Sequence, residues 1–231
     1  MKKLLLLLTT GAFISTANAQ VARVQAIHNS ADAATAVVDV YLTTPQGSSL
    51  LINDFAFRNA SPFIDAPAGV DITIGFAPSN STSVNDTLPG ASFTYNLTTN
   101  ETYVLVAEGI YSSTGYSPAK PFEIAVYPMG REAAKTAGNT DVLVHHGSTD
   151  APTVDVDEVT AGNLVNDASY GDFSNYLELP TADYKLQIKD ASGTTVLASY
   201  DAPLATLNLT DAALVVIASG FLTTNSIRLF N

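Results

Sequence analysis

"VLVHHGSTDAPTVDV", Val142–Val156, sets the fold of this chain, because much of it has occurred once already, as "VQAIHNSADA" at Val24–Ala33. His28 matches His146, Ser30 matches Ser148, and Asp32 matches Asp150. "VVDVYL" then matches "TVDVDE", which pairs Asp39 with Asp155. "LLINDFAFRNASPFIDAP" runs against "NLVNDASYGDFSNYLELP", matching Asn53-Asp54 with Asn166-Asp167 and Pro67 with Pro180. "YVLVAEG" matches "LVVIASG". The matches keep their order, the mark of a duplicated unit. The expected organisation is a leader at 1–19, a first repeat at 20–130, a linker at 131–139 and a second repeat at 140–231. The first repeat is longer, with the extra loops "PSNSTSVNDTLPG" and "YSSTGYSPAKP".

Within each unit the hydrophobic period is two. "YKLQIKD" puts Tyr184, Leu186 and Ile188 on one face and Lys185, Gln187 and Lys189 on the other. "VDITIGF" alternates in the same way through Val70, Ile72, Ile74 and Phe76. Such segments are strands with one wet face. "DASG", Asp190–Gly193, supplies a hairpin turn. "YVLVA" and "ALVVIA" are unbroken apolar runs, suited to strands buried on both faces. The one stretch with helical character is "REAAK", Arg131–Lys135, in the linker. About seven short strands per unit predict an all-β chain of two tandem antiparallel β-sandwiches.

The start of the chain predicts export. Lys2 and Lys3 precede an apolar run from Leu4, and Ala17-Asn18-Ala19 is a small-x-small site, so cleavage is expected between Ala19 and Gln20. The apolar run is too short for a permanent span. The chain has no cysteine, so hydrophobic cores must hold it without disulfides. At 46% hydrophobic and 14% charged it has the apolar stock to do so. The formal net charge of −12 becomes −14 once the two leader lysines are removed. That charge repels phosphate backbones and anionic lipid, and disfavours nucleic acid and membrane surfaces as partners.

The motif H-x-S-x-D-A, then V-D-V, an N-D step and a strand-ending proline, resembles the bacterial domain of unknown function 4397. The resemblance covers both copies and implies an exported or cell-surface protein with immunoglobulin-like or transthyretin-like sandwiches. It implies no activity. The second copy fits better. In the first, Ala34 stands where proline is usual, and two extra residues precede Val38.

The clustered His, Ser and Asp side chains raise three chemistries. A hydrolytic centre needs a serine and a base in contact beside an oxyanion site. His146 and Ser148 share a strand face, but the same pair recurs as His28 and Ser30, which favours a turn device used twice. Adjacent His145 and His146 point to opposite faces, so they cannot chelate one zinc ion together. Calcium takes loop oxygens, and Asp32, Asp39, Asp150, Asp155, Asp157 and Glu158 are its candidates, although no Ca-binding loop motif is present. Tyr111 and Tyr116, among Ser, Thr, Gly and Pro, suit either an adaptable ligand loop or rings packed over a sandwich edge.

The expected role is a non-enzymatic interaction or adhesion-type module of the periplasm, cell surface or exterior, with no catalytic or cofactor residues. Its partner would be a protein or polysaccharide. The alternatives are a structural subunit of a matrix or fibre, and a secreted hydrolase.

Overall fold

The computed structural model describes residues 20–222 and the backbone of 227–230. The leader, with Ala19 of the expected cleavage site, lies outside the described residues; Gln20 is the first of them and is exposed.

The first eight strands are β1 (Val21–His28), β2 (Val37–Thr44), β3 (Gly47–Ala56), β4 (Ile64–Pro67), β5 (Asp71–Pro78), β6 (Ser92–Asn96), β7 (Thr102–Glu108) and β8 (Glu123–Pro128). The next eight are β9 (Asn139–Ser148), β10 (Val154–Glu158), β11 (Gly162–Ala168), β12 (Leu177–Pro180), β13 (Asp183–Asp190), β14 (Val196–Pro203), β15 (Ala213–Gly220) and β16 (Ile227–Phe230). The sheets of the first half have orders β3-β2-β5-β6 and β4-β1-β7-β8. Those of the second have orders β11-β10-β13-β14 and β12-β9-β15-β16. Adding eight to each strand number converts the first pair into the second, so the duplication holds at the level of topology.

Two details differ from expectation. Each half has eight strands rather than about seven, and one ladder in each is parallel: β1 with β7 and β9 with β15. All other ladders between these strands are antiparallel. The chain reaches β7 from β6 in the opposite sheet, so no hairpin fixes its direction against β1.

The sheets containing β2 and β10 are outer sheets: β3 is exposed along most of its length, and β14 mixes exposed with half-buried positions. The sheets containing β1 and β9 are inner sheets. Their strands β7 and β15 are buried along nearly their whole length, which explains their unbroken apolar sequence. One face of the inner sheet of the first half joins a core with Phe55, Ile72, Phe76 and Phe122. Its other face gives Ile27, Val104 and Val106 to a middle layer shared with Leu143, Val215 and Ile217 of the second half. Each such side chain fully buried stabilises by roughly 1.5–3 kcal/mol.

The linker segment "REAAK" is bent coil rather than helix. Five residues cannot offset the cost of helix nucleation, and neighbouring groups hold its ends. Arg131 Nη1 donates to Asp141 and Glu178, and the Arg131 amide donates to Tyr176 Oη. Arg23 Nε donates to Glu132 at 2.7 Å from the other side.

Candidate functional site

The two signatures are clasps. His28 Nε2 lies 2.6 Å from the Thr35 carbonyl, and His146 Nε2 lies 3.0 Å from the Pro152 carbonyl. A carbonyl only accepts, so Nε2 carries the proton and Nδ1 is an acceptor in both rings. Burial pushes the pKa of both imidazoles below the usual value, because the charged form loses its water. Ser30 Oγ donates to the Gly109 carbonyl at 2.7 Å, and Ser148 Oγ to Asp150. Among the described residues neither serine hydroxyl bonds a histidine.

Asp32 accepts from the Ala34 amide and from both the amide and hydroxyl of Ser112. Burial works to raise its pKa, but these donors outweigh it and hold the carboxyl below its ordinary value. Asp150 accepts from the Leu222 amide at 2.6 Å. Proline at 152, where the first copy has Ala34, has no N–H to offer. Asp39 and Asp155 perform a second shared task. Each faces two residues of the neighbouring strand at a β-bulge and accepts the amide of the N-D aspartate, from Asp54 at 2.9 Å and from Asp167 at 2.7 Å. Asp54 and Asp167 have φ of 52° and 53°. Asn53 and Asn166 bond the side chains of these left-handed residues.

Among the described residues no three His, Asp or Glu side chains converge to hold a metal ion. Asp157 pairs with Lys189, and Glu158 accepts the Thr160 and Ala161 amides of its own turn.

The two loop tyrosines part company. Tyr111 packs against the first core, its ring perpendicular to Phe122 at 6.4 Å. Tyr116 accepts the Ala33 amide and stacks on Phe221 of the second half at 5.6 Å. Its loop thereby roofs the junction. Beside it lies an open polar cleft of about 440 Å³, lined by Pro118, Lys120, Thr149, Asp150, Thr153 and Tyr170. Lys120 Nζ lies 5.4 Å from the centre of the Tyr170 ring. Thr149 Oγ1 and Tyr170 Oη have no hydrogen-bond partner among the described residues. Burial raises the Tyr170 pKa, so the phenol keeps its proton.

Below the cleft the halves lock together. His145 Nε2 meets Glu108 Oε2, Asn29 Nδ2 donates to the Gly147 carbonyl at 3.0 Å, and Arg58 donates to the Ser219 carbonyl at 2.9 Å. Sequence reasoning missed Glu108, Asn29 and Arg58, and gave His145 no role. The usable signal was where the repeat fails. His145 stands against Ile27, Glu108 against Ser219, and Asn29 against Gly147. The matched residues build the turns, and these mismatches build the junction.

A second, apolar cavity of about 170 Å³ lies inside the second sandwich, between β9, β12 and β15 on one side and β10, β11, β13 and β14 on the other. Val144, His146, Ala168, Leu186, Ile188 and Tyr200 are among its walls.

Residues 140–229 match the family model described as domain of unknown function 4397. The resemblance expected of the first half has no such match, although its strand order is the same. No curated protein matches the chain.

Proposed function

We propose that the chain is an exported, non-enzymatic interaction module that holds a protein or polysaccharide at the cell exterior through the cleft between its halves. The observation that carries this reading is the cleft's composition. Lys120 and Asp150 supply a donor and an acceptor beside the Tyr170 ring, the mixture that recognises hydroxyl-rich or peptide surfaces. The signature serines and histidines support it from the other side, since each bonds a backbone carbonyl or a carboxylate and, among the described residues, neither serine hydroxyl bonds a histidine. The acidic surface favours neutral or cationic partners.

The test is a binding screen of residues 20–231 against cell-wall fragments, polysaccharides and envelope proteins. A ligand whose binding weakens about tenfold or more in Lys120→Ala and Tyr170→Leu supports the reading. Binding untouched by both, or concentration-dependent self-association through the cleft, overturns it.

A further inference from the structure

We propose that the interior of the second sandwich is a binding site for a compact apolar molecule bearing one hydroxyl group. The site is separate from the cleft and does not rest on the function proposed for it.

The case comes from comparing two interiors built on one topology. Strand register matches the positions. Val38 faces Phe55 as Val154 faces Ala168. Val40 faces Phe76 as Val156 faces Ile188. Ile74 faces Phe93 as Leu186 faces Tyr200. The first interior is filled by aromatic rings in contact, with Phe76 5.1 Å from Phe122 and 6.2 Å from Phe93. In the second, Ala168 and Ile188 stand where the first has Phe55 and Phe76, and among the described residues a cavity of about 170 Å³ lies against them. Apolar cavities of ~150 Å³ stay dry and admit a benzene-sized guest. An unfilled void of this kind forfeits dispersion contacts along its whole lining, which a guest restores.

The histidine of the signature gives the cavity one polar point. In the first half the His28 ring is covered by Phe55 at 5.7 Å, and its Nδ1 accepts the Ser30 amide at 3.3 Å. In the second half Ala168 leaves the His146 ring as part of the cavity wall. His146 is 2% exposed, its Nε2–H donates to the Pro152 carbonyl, and Nδ1 has no partner among the described residues. A buried acceptor without a donor is unfavourable. A guest hydroxyl supplies that donor, while the rest of the guest meets Val, Leu and Ile.

The experiment titrates p-cresol and toluene into the 20–231 protein, followed by methyl NMR and thermal melting. Both should bind saturably, with shifts confined to methyls such as Val144, Leu186 and Ile188. The p-cresol should bind about fivefold tighter, as one added hydrogen bond provides. Ala168→Phe, which copies the first half, should raise Tm and abolish binding. Ile188→Phe is the second filling variant should Ala168→Phe not fold. His146→Gln should bring p-cresol down to the affinity of toluene. Lys120→Ala should change nothing here, which separates this site from the cleft. Absence of saturable binding to the wild type, or binding undiminished in a folded filling variant, overturns the site. Equal affinity for the two guests overturns the role of the hydroxyl.

Discussion

His145 Nε2 lies 2.7 Å from Glu108 Oε2 with both side chains completely buried, one from each half of the chain. His145 Nδ1 faces the Asp172 carbonyl at 3.1 Å, which fixes a proton there. The second contact therefore holds one proton between ring and carboxyl. Phe173 stacks on the ring at 4.0 Å and keeps water away.

Glu108→Ala leaves this imidazole without its partner. Breaking one side of a buried pair costs about 3–5 kcal/mol. At about 2–4 °C per kcal/mol for a chain of this size, Tm should fall by about 6–20 °C in calorimetry. Glu108→Leu with His145→Ile, which removes both polar groups, should recover most of the loss.

Gly147 is needed for space. A Cβ there would sit 2.2 Å from Asn29 Nδ2 and 3.0 Å from Glu108 Oε2, both from the other half. Gly147→Ala should cost about 1–3 kcal/mol by overpacking. Asn29→Ala in the same chain should relieve part of it, giving a positive coupling in a double-mutant cycle of denaturant midpoints.

Asp32 and Asp150 occupy matched positions but accept unequal numbers of bonds. Asp32→Ala strands the Ala34 and Ser112 amides, whereas Asp150→Ala strands the Leu222 amide. A buried donor left bare costs about 1–3 kcal/mol; the Ala34 and Ser112 bonds are part-buried, whereas water reaches the Leu222 amide. Thermal unfolding should therefore show the larger loss in Asp32→Ala. Equal or absent losses would remove the structural role given to these carboxylates.

Acid should destabilise the protein through His28 and His146. Burial lowers both folded-state pKa values below the ordinary 6.5, so between the two values the unfolded chain binds the extra proton. Stability is then complete above about pH 6.5 and falls as pH drops below it. Asp32, also depressed, adds a further loss below its ordinary 3.8. Tm measured from pH 8 to pH 5 should decline, and His146→Gln should decline less steeply.

Each half cut away from the other bares part of the middle layer, with Ile27, Val104 and Val106 on one side and Leu143, Val215 and Ile217 on the other. Residues 20–130 and 140–231 expressed separately should each show β circular dichroism, because each sandwich has its own interior. Mixed, they should form a 1:1 complex by analytical ultracentrifugation. Glu108→Ala in the first half should weaken that complex.

Much of the fold was legible because period-two strands and repeated turns are local facts. Ile72, Ile74 and Phe76 face inward as their alternation requires. The repeated Asp39–Asp54 and Asp155–Asp167 bonds show why V-D-V and N-D travel together. The parallel ladders were not legible, since strand direction after a crossing between sheets leaves no mark on β7 or β15. Nor was the junction. Glu108 and His145 lie 37 positions apart, and nothing local to either announces the other. The cavity was hidden for the opposite reason. Ala168 and Ile188 are ordinary core residues, and only their register against Phe55 and Phe76 shows what is missing.

The pairing of Glu108 with His145 also gives the duplicated halves a polarity. Two first halves meeting through this face would bury carboxyl against carboxyl, and two second halves imidazole against imidazole, so like rejects like. A first half from one molecule and a second from another would satisfy every junction contact just as well. What keeps the match within one chain is the short tether at 131–139, pinned by Arg131 on Asp141 and Arg23 on Glu132, which fixes the effective concentration of one half around the other. Loosening that tether, by Arg131→Ala or an inserted flexible run, turns the same complementary faces into ends that exchange between molecules at high concentration.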